Sequence, residues 1–409
     1  MSEPRPSRPP TRLASSIANS TYPLEALKEI RDFPKAHISA QSYGQLMDWC
    51  IRGLENCVRL KSCTWTSDGS LTSEILKSLR ECPELTDIAI NGGDSWQYEP
   101  KDLIQLLHLR TISLVMPSMS VLEILPRWLQ ITGQSLTSLT LICKASIHVT
   151  DALLDSISQH LPQLERLYLA GCPRVTNNGV WSMIRSRVRN LKGLSLESLS
   201  PVFNMSALSE ACARAGGLTS LYSFTLTIPP DHPSDAWMDD TASLLRDSPL
   251  QVFQIYASGS GSQGMLADEF CMRIVDYHHD HLVRFSFHRL RLSLDAIDHV
   301  CLHCTRLEQL FMLIDHAEME LLIPILAGAK HLSTVHVNLV ERPTLCSPYK
   351  HALDIAHKCS PSISQVGIDT KVWKVDRRVS VAEGITRVDR FLTMVESPDI
   401  PEQFLVVRT

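Results

Sequence analysis

Residues 164–196 read LERLYLAGCPRVTNNGVWSMIRSRVRNLKGLSL, and they contain one spacing twice. Leu164, Leu167 and Leu169 stand at an origin, plus three and plus five; Leu191, Leu194 and Leu196 repeat this 27 residues later. Positions plus three and plus five share one face of a strand, because side chains alternate sides. Toward the N-terminus the triplet recurs as Leu136/Leu139/Leu141, Leu109/Ile112/Leu114, Leu85/Ile88/Ile90 and Leu60/Cys63/Trp65. Toward the C-terminus it continues as Leu221/Phe224/Leu226, Leu250/Phe253/Ile255, Leu282/Phe285/Phe287, Leu307/Leu310/Met312, Leu332/Val335/Val337 and Ile363/Val366/Ile368. Successive origins lie 24 to 32 residues apart, a period that belongs to stacked repeats.

Between strands the period changes. In Asp151 to Leu161, the residues Leu153, Leu154, Ile157 and Leu161 fall on one stripe of a helix. Each unit is therefore strand, loop, helix and return. Three buried side chains at about 1.5 to 3 kcal/mol each cannot offset the ordering of a whole unit at roughly 1 to 2 kcal/mol per residue, so neighbouring units must supply the rest. A doubly wound sheet has both faces covered, and its strands read as unbroken apolar runs. Here position plus four reads Thr64, Ala89, Ser113, Thr140, Tyr168, Ser195, Thr225, Gln254, Ser286, Phe311, His336 and Gly367, mostly small or polar. One sheet face is expected to be wet. The spacing predicts an α/β solenoid: an open horseshoe with a parallel β-sheet on the concave side and helices on the convex side.

Composition narrows the function without naming it. A net charge of −5 over 409 residues leaves no electrostatic footprint for nucleic acid, and no run of about 18 apolar residues suggests a membrane span. Residues 1–20 are rich in Pro, Ser and Arg with no apolar core of a signal peptide, and read as disordered. The expected location is cytoplasmic or nuclear. Twelve cysteines do not imply disulfides in such a setting; Cys82, Cys172, Cys304 and Cys359 sit at recurring places in their units and read as small buried hydrophobes.

The run Leu164, Leu167, Leu169, Cys172, Pro173, Val175, Thr176, Gly179, Val180 resembles the cysteine-containing subclass of leucine-rich repeats, and Val149, Thr150, Asp151 look like the same helix start one unit earlier. The likeness is strong in units five and six and architectural elsewhere, since most units lack the cysteine or the threonine. It implies a ribonuclease-inhibitor-like leucine-rich-repeat horseshoe. It also implies the role of many members, the substrate-reading part of F-box-type ubiquitin-ligase adaptors. An adaptor needs an F-box ahead of its repeats. Pro23-Leu24-Glu25-Ala26-Leu27-Lys28-Glu29-Ile30 resembles the F-box opening, with Tyr22 where the family has Leu, and then Pro34 interrupts where the first helix should continue. Residues 21–53 are thus either a degenerate F-box, which would meet the ligase's linker subunit, or a capping repeat with a strand near Leu24 to Phe33 and a helix near Gln41 to Leu54. The repeats proper span 54–370 and a cap spans 371–409. In the cap, Trp373 to Val379 reads as a strand and Gly384 to Glu396 as a helix.

Three constellations invite a chemical reading. Gly259-Ser260-Gly261-Ser262-Gln263-Gly264 has the glycines of a phosphate-binding loop, but the preceding strand ends early and no acid follows to hold a ribose, so a flexible loop is the simpler account. Cys301 and Cys304 with His278, His279 and His281 offer zinc-type donors, yet repeat phasing separates them by about one unit. No motif for nucleophilic, metal-dependent or phosphoryl-transfer catalysis is present. A non-catalytic binding module without cofactor or metal is therefore expected, either an F-box-type adaptor or a ligase-independent scaffold. The candidate surface is the concave face, where Arg166 and Tyr168 stand near the middle and Arg284, Gln309, Phe311 and His336 gather toward the C-terminal third, an Arg and aromatic mix of the kind found at interface hot spots. The partner expected there is a protein, neither nucleic acid nor membrane. Tyr168 and Phe311 packing against neighbouring strands is the competing reading.

Overall fold

The computed structural model describes residues 29–31, 40–66, 71–93, 97–228, 235–257, 267–340, 347–382 and 385–395. The chain forms two units, Met1–Tyr168 and Leu169–Thr409. The first contains β1 (Glu29–Arg31), α1 (Ala40–Glu55), β2 (Ser62–Trp65), α2 (Ser73–Arg80), β3 (Asp87–Asn91), β4 (Thr111–Val115), α3 (Met119–Thr132), β5 (Ser138–Ile142) and α4 (Asp151–Ser158), with a short 3-10 helix, Pro100–Gln105, between β3 and β4. β6 (Arg166–Ala170) carries the division. The second contains α5 (Asn177–Ile184), β7 (Gly193–Glu197), α6 (Met205–Arg214), β8 (Ser223–Ile228), α7 (Asp235–Leu245), β9 (Val252–Ala257), α8 (Asp268–His278), β10 (Arg284–Arg291), α9 (Leu294–His303) and β11 (Gln309–Ile314). It ends with α10 (Met319–Gly328), β12 (Thr334–Leu339), α11 (Pro348–Lys358), β13 (Gln365–Ile368), β14 (Lys371–Ala382) and β15 (Ile385–Met394).

Strands pair with their sequence neighbours. β1 to β5 are parallel in the first unit, and β7 to β13 are parallel in the second. This order, with a helix or turn between consecutive strands, is that of an α/β leucine-rich-repeat solenoid. Register brings equivalent triplet members side by side: Ile88, Ile112 and Leu139 in the first unit, and Leu194, Phe224, Phe253, Phe285, Leu310, Val335 and Val366 in the second. All are buried. Each contributes about 1.5 to 3 kcal/mol by leaving water. In three consecutive units phenylalanine replaces leucine at plus three. Phe253 packs on Phe224 and Phe285 with ring centroids 6.4 and 5.7 Å apart, and Phe270 and Phe287 close the cluster.

Helices start where a short polar residue can cap them. Thr72, Ser118, Thr150, Thr176, Asn204 and Ser293 each accept a hydrogen bond from a first-turn backbone N–H, worth about 1 kcal/mol per cap. A left-handed residue recurs just past the strand end or, for Arg289, inside β10 where the register shifts. Seven residues past their origins, Met116, Gly171, Ser198 and Arg289 have left-handed backbones with φ of 53, 66, 48 and 59°; glycine enters this region freely and other residues at a cost.

The ends of the repeat array differ from expectation in one place. Residues Gly384 to Glu396 do not form the expected helix: Ile385–Met394 is β15, antiparallel to β14. The apolar spacing that fits a helical stripe also contains an alternating set, and β14 offers that set a partner. Leu392 lies opposite Val375 and Met394 opposite Trp373, and both β14 residues are buried. Arg390 then ties the hairpin to α11, donating from Nη1 to the Ala356 carbonyl, while His357 Nε2 lies 3.0 Å from the Arg390 carbonyl. At the other end, most of the F-box-like run lies outside the described residues, and its last two positions, Glu29 and Ile30, are in β1, parallel to β2.

Among the described residues no helix is long and apolar enough to cross a membrane. The eleven cysteines there are free, buried thiols; burial pushes Cys212, Cys301 and Cys304 up to about 12, so they are inert core groups.

Candidate protein-binding face

Positions plus two, plus four and plus six of each strand share the face opposite the apolar triplets, here called the polar face. Register converts them into rows. In the second unit the plus-four row runs Ser195, Thr225, Gln254, Ser286, Phe311, His336, Gly367. The plus-two row includes Arg284, Gln309, Thr334 and Gln365.

The expected wet face is corrected for part of the plus-four row. Ser195, Thr225, Gln254, Ser286 and Phe311 are only 5, 7, 4, 0 and 3% exposed. Parallel strands lie about 4.8 Å apart, so a small side chain between larger ones is roofed by them; Ser286 stands between Gln254 and Phe311. The plus-two residues Arg284, Gln309, Thr334 and Gln365 remain half-buried.

Of the six residues nominated from sequence, four come together. Arg284 Nε donates to Gln309 Oε1 across β10 and β11, and burial holds the Arg284 guanidinium below its ordinary range. Phe311 is not an exposed anchor. Its ring packs between His288 at 5.7 Å and His336 at 5.8 Å, the latter nearly parallel at 14°. Arg166 and Tyr168 belong to the first unit, two residues apart on β6 and half-buried.

His288 stands at plus six, on the same polar face; the spacing gives its side of the sheet but not that its ring lies against Phe311. His288 completes a His–Phe–His stack on three adjacent strands. Burial lowers its pKa to about 3, with His336 adding repulsion. His336 is lowered chiefly by burial, opposed by Asp369, whose carbonyl lies 2.8 Å from His336 Nε2. A side chain at Gly367 would collide with the His336 ring, so glycine there makes room for the imidazole. Neutral imidazoles of this kind stack and hydrogen-bond; they do not exchange protons near neutral pH.

Other charged groups on or near this face are structural. Arg291 Nη2 lies 2.8 Å from Asp315 and 3.2 Å from Glu318, and these two acids also form a capping box ahead of α10. The Arg289 guanidinium lies over the Tyr256 ring at 5.1 Å. Glu197 on β7 is 2% exposed and accepts from Ser195 Oγ at 2.7 Å; burial pushes its carboxyl up to about 7, against that hydrogen bond.

The zinc-type donors do not converge among the described residues. Cys301 and Cys304 are core thiols, His278 is buried with its pKa lowered to about 4 by desolvation, and His279 faces Asp280 at 3.2 Å. Among the described residues no three His, Cys, Asp or Glu side chains converge as metal ligands. The glycine-rich run 259–264 lies outside the described residues.

No protein-family model matches the chain, and no curated protein does. Among solved structures, a chain of the yeast Rad7–Elc1 complex is similar with 13% identity and a TM-score of 0.43, over 73% of this chain and 76% of that one. The leucine-rich repeat-containing protein LegL7 from Legionella pneumophila has 12% identity and a TM-score of 0.41, over 82% of this chain and 99% of its own. The TLR13–ssRNA13 complex shows 13% identity and a TM-score of 0.38, over 78% of this chain and 40% of that one.

Proposed function

We propose that this chain is a non-catalytic protein-binding module whose polar sheet face in the second unit receives a protein partner. The observation that carries the reading is the pairing on β10 to β12 of a half-open row of hydrogen-bonding side chains, Arg284, Gln309 and Thr334, with a rigid stack, His288, Phe311 and His336, beside it. Preset polar groups on a packed support suit recognition, because little side-chain freedom is left to lose on binding. Histidines lowered as far as about 3 do not suit acid–base catalysis near neutral pH.

A finer reading is that the partner is a substrate delivered to a ubiquitin ligase. Its support is the repeat signature at 164–180, in which Cys172 and Val175 are buried and Thr176 caps α5 through Asn178 N–H at 3.1 Å. A ligase-independent scaffold is favoured by β1, since Glu29–Arg31 pair as a strand with β2 where an F-box opening would be helical. The test is capture of proteins by the intact chain and by Thr334→Trp, which fills the open row without charge. Loss of a specific partner in the variant supports the reading; retention of every partner overturns it. Capture of the ligase's linker subunit by the intact chain decides between adaptor and scaffold.

A further inference from the structure

Strand register lines up Arg284, Gln309, Thr334, Gln365 and Lys374 on five neighbouring strands. The first four are half-buried and Lys374 is exposed, whereas the adjoining row of Ser286, Phe311, Gly367 and Val372 is closed, with only His336 partly open. Within this stretch every side chain can donate a hydrogen bond, none is a carboxylate, and the first and last are cations; the same row runs on to half-buried Val252 on β9 and exposed Thr393 on β15. The two cations stand four strand spacings apart, about 19 Å. The Gln309 oxygen accepts from Arg284, so the amide nitrogen is what Gln309 has left to offer. Lys374 also meets Asp376 at 2.9 Å, an exposed contact that water weakens.

We propose that this row seats an extended acidic segment of the partner protein, with carboxylates at Arg284 and Lys374 and backbone carbonyls over Gln309, Thr334 and Gln365. The inference rests on the reading of this face as protein-binding. Two cations over about 19 Å suit spaced carboxylates better than nucleic acid, which brings a phosphate about every 3.4 Å along each strand of a duplex.

The test is fluorescence anisotropy of the intact protein with labelled peptides of about ten glutamates or ten serines, long enough to cross the row, and with an oligothymidylate of equal length. The glutamate peptide should bind about tenfold more tightly than the serine peptide at low salt, with the preference shrinking as salt rises. Thr334→Glu should remove that preference and Thr334→Val should keep it. Equal binding of glutamate and serine peptides, tighter binding of the oligothymidylate, or an unaffected Thr334→Glu overturns the inference. A protein partner lost with Thr334→Trp but kept with Thr334→Glu sinks the acidic segment and leaves the protein-binding reading standing; a partner kept with both sinks that reading itself.

Discussion

The polar face is built differently from strand to strand, and the division does not follow the two units: β5 in the first is buried at every position, whereas β12 in the second alternates. On β2, β3 and β4 burial alternates residue by residue, and Thr64, Ala89 and Ser113 remain half-exposed between buried triplet members. On β7, β8 and β11 the alternation vanishes, and residues that should face water are buried. The difference lies in the neighbours. A row of Thr, Ala and Ser gives no side chain tall enough to roof another, whereas Gln254, Phe311 and His336 shield what stands between them. The same repeat therefore yields an open floor on β2 to β4 and a closed, polar-lined layer on β7, β8 and β11, with the plus-two row open beside it on β10 to β13. Closure has a cost the open floor avoids: Ser286 Oγ has no hydrogen-bond partner among the described residues.

The largest test of this contrast lies beneath the face. Phe253→Ala removes a ring touching four others and should destabilise by about 3 to 5 kcal/mol. Ile112→Ala, its counterpart in the first unit, should cost less, about 2 to 4 kcal/mol, because a smaller side chain leaves a smaller cavity. Denaturant unfolding of both variants, with hydrogen exchange to locate the loss, compares them.

Dependence on pH should belong to the second unit. Glu197 keeps its proton up to about 7 when folded, against 4.5 ordinarily. The unfolded chain therefore ionises first, and stability is lost as pH rises from 4.5 to 7, by at most about 3 kcal/mol. Glu197→Gln should flatten that slope. His278 and His288 act at the acid side: lowered to about 4 and 3 from 6.5, they stay neutral while the unfolded chain takes up protons, so stability falls as pH drops below 6.5. Hydrogen exchange at pH 5 and pH 7 should show these changes in β7 to β12 and leave β2 to β5 unmoved; equal changes in both would break the contrast.

Ser286→Ala should be neutral or stabilising, by up to about 1 to 3 kcal/mol, because it deletes a buried hydroxyl without a partner. Ser113→Ala, on the half-open floor, should change the unfolding midpoint little, within about 0.5 kcal/mol. The smallest effect concerns the shared left-handed turn. Met116→Gly relieves a strained φ but loosens the unfolded chain, leaving a net change within about 1 kcal/mol. Arg289→Gly gains the same relief and loses the stack on Tyr256, worth about 0.5 to 1 kcal/mol, so it should rank below Met116→Gly in thermal unfolding.

Much of the molecule is legible in its spacing. The plus-three and plus-five members fall on strands wherever they were read, and Thr150 and Thr176 cap the helices they begin. What escaped has particular causes. Residues 385–394 carry a pattern that fits helix and strand alike, and β14 decided between them. His288 and Glu197 both stand at plus six, so the spacing gives their side of the sheet, but their burial depends on neighbouring strands far along the chain. Phe311 reads as an exposed anchor until two histidines from adjacent strands are placed against its ring.

The sequence by itself determined the repeat, its strand and helix alternation, and which residues share a sheet face, because these follow from periods of two and 3.6 along one chain. Only the tertiary structure decided which polar-face residues meet water. That depends on the size of the side chain about 4.8 Å away on the next strand, which in this chain is 24 to 32 residues distant in sequence.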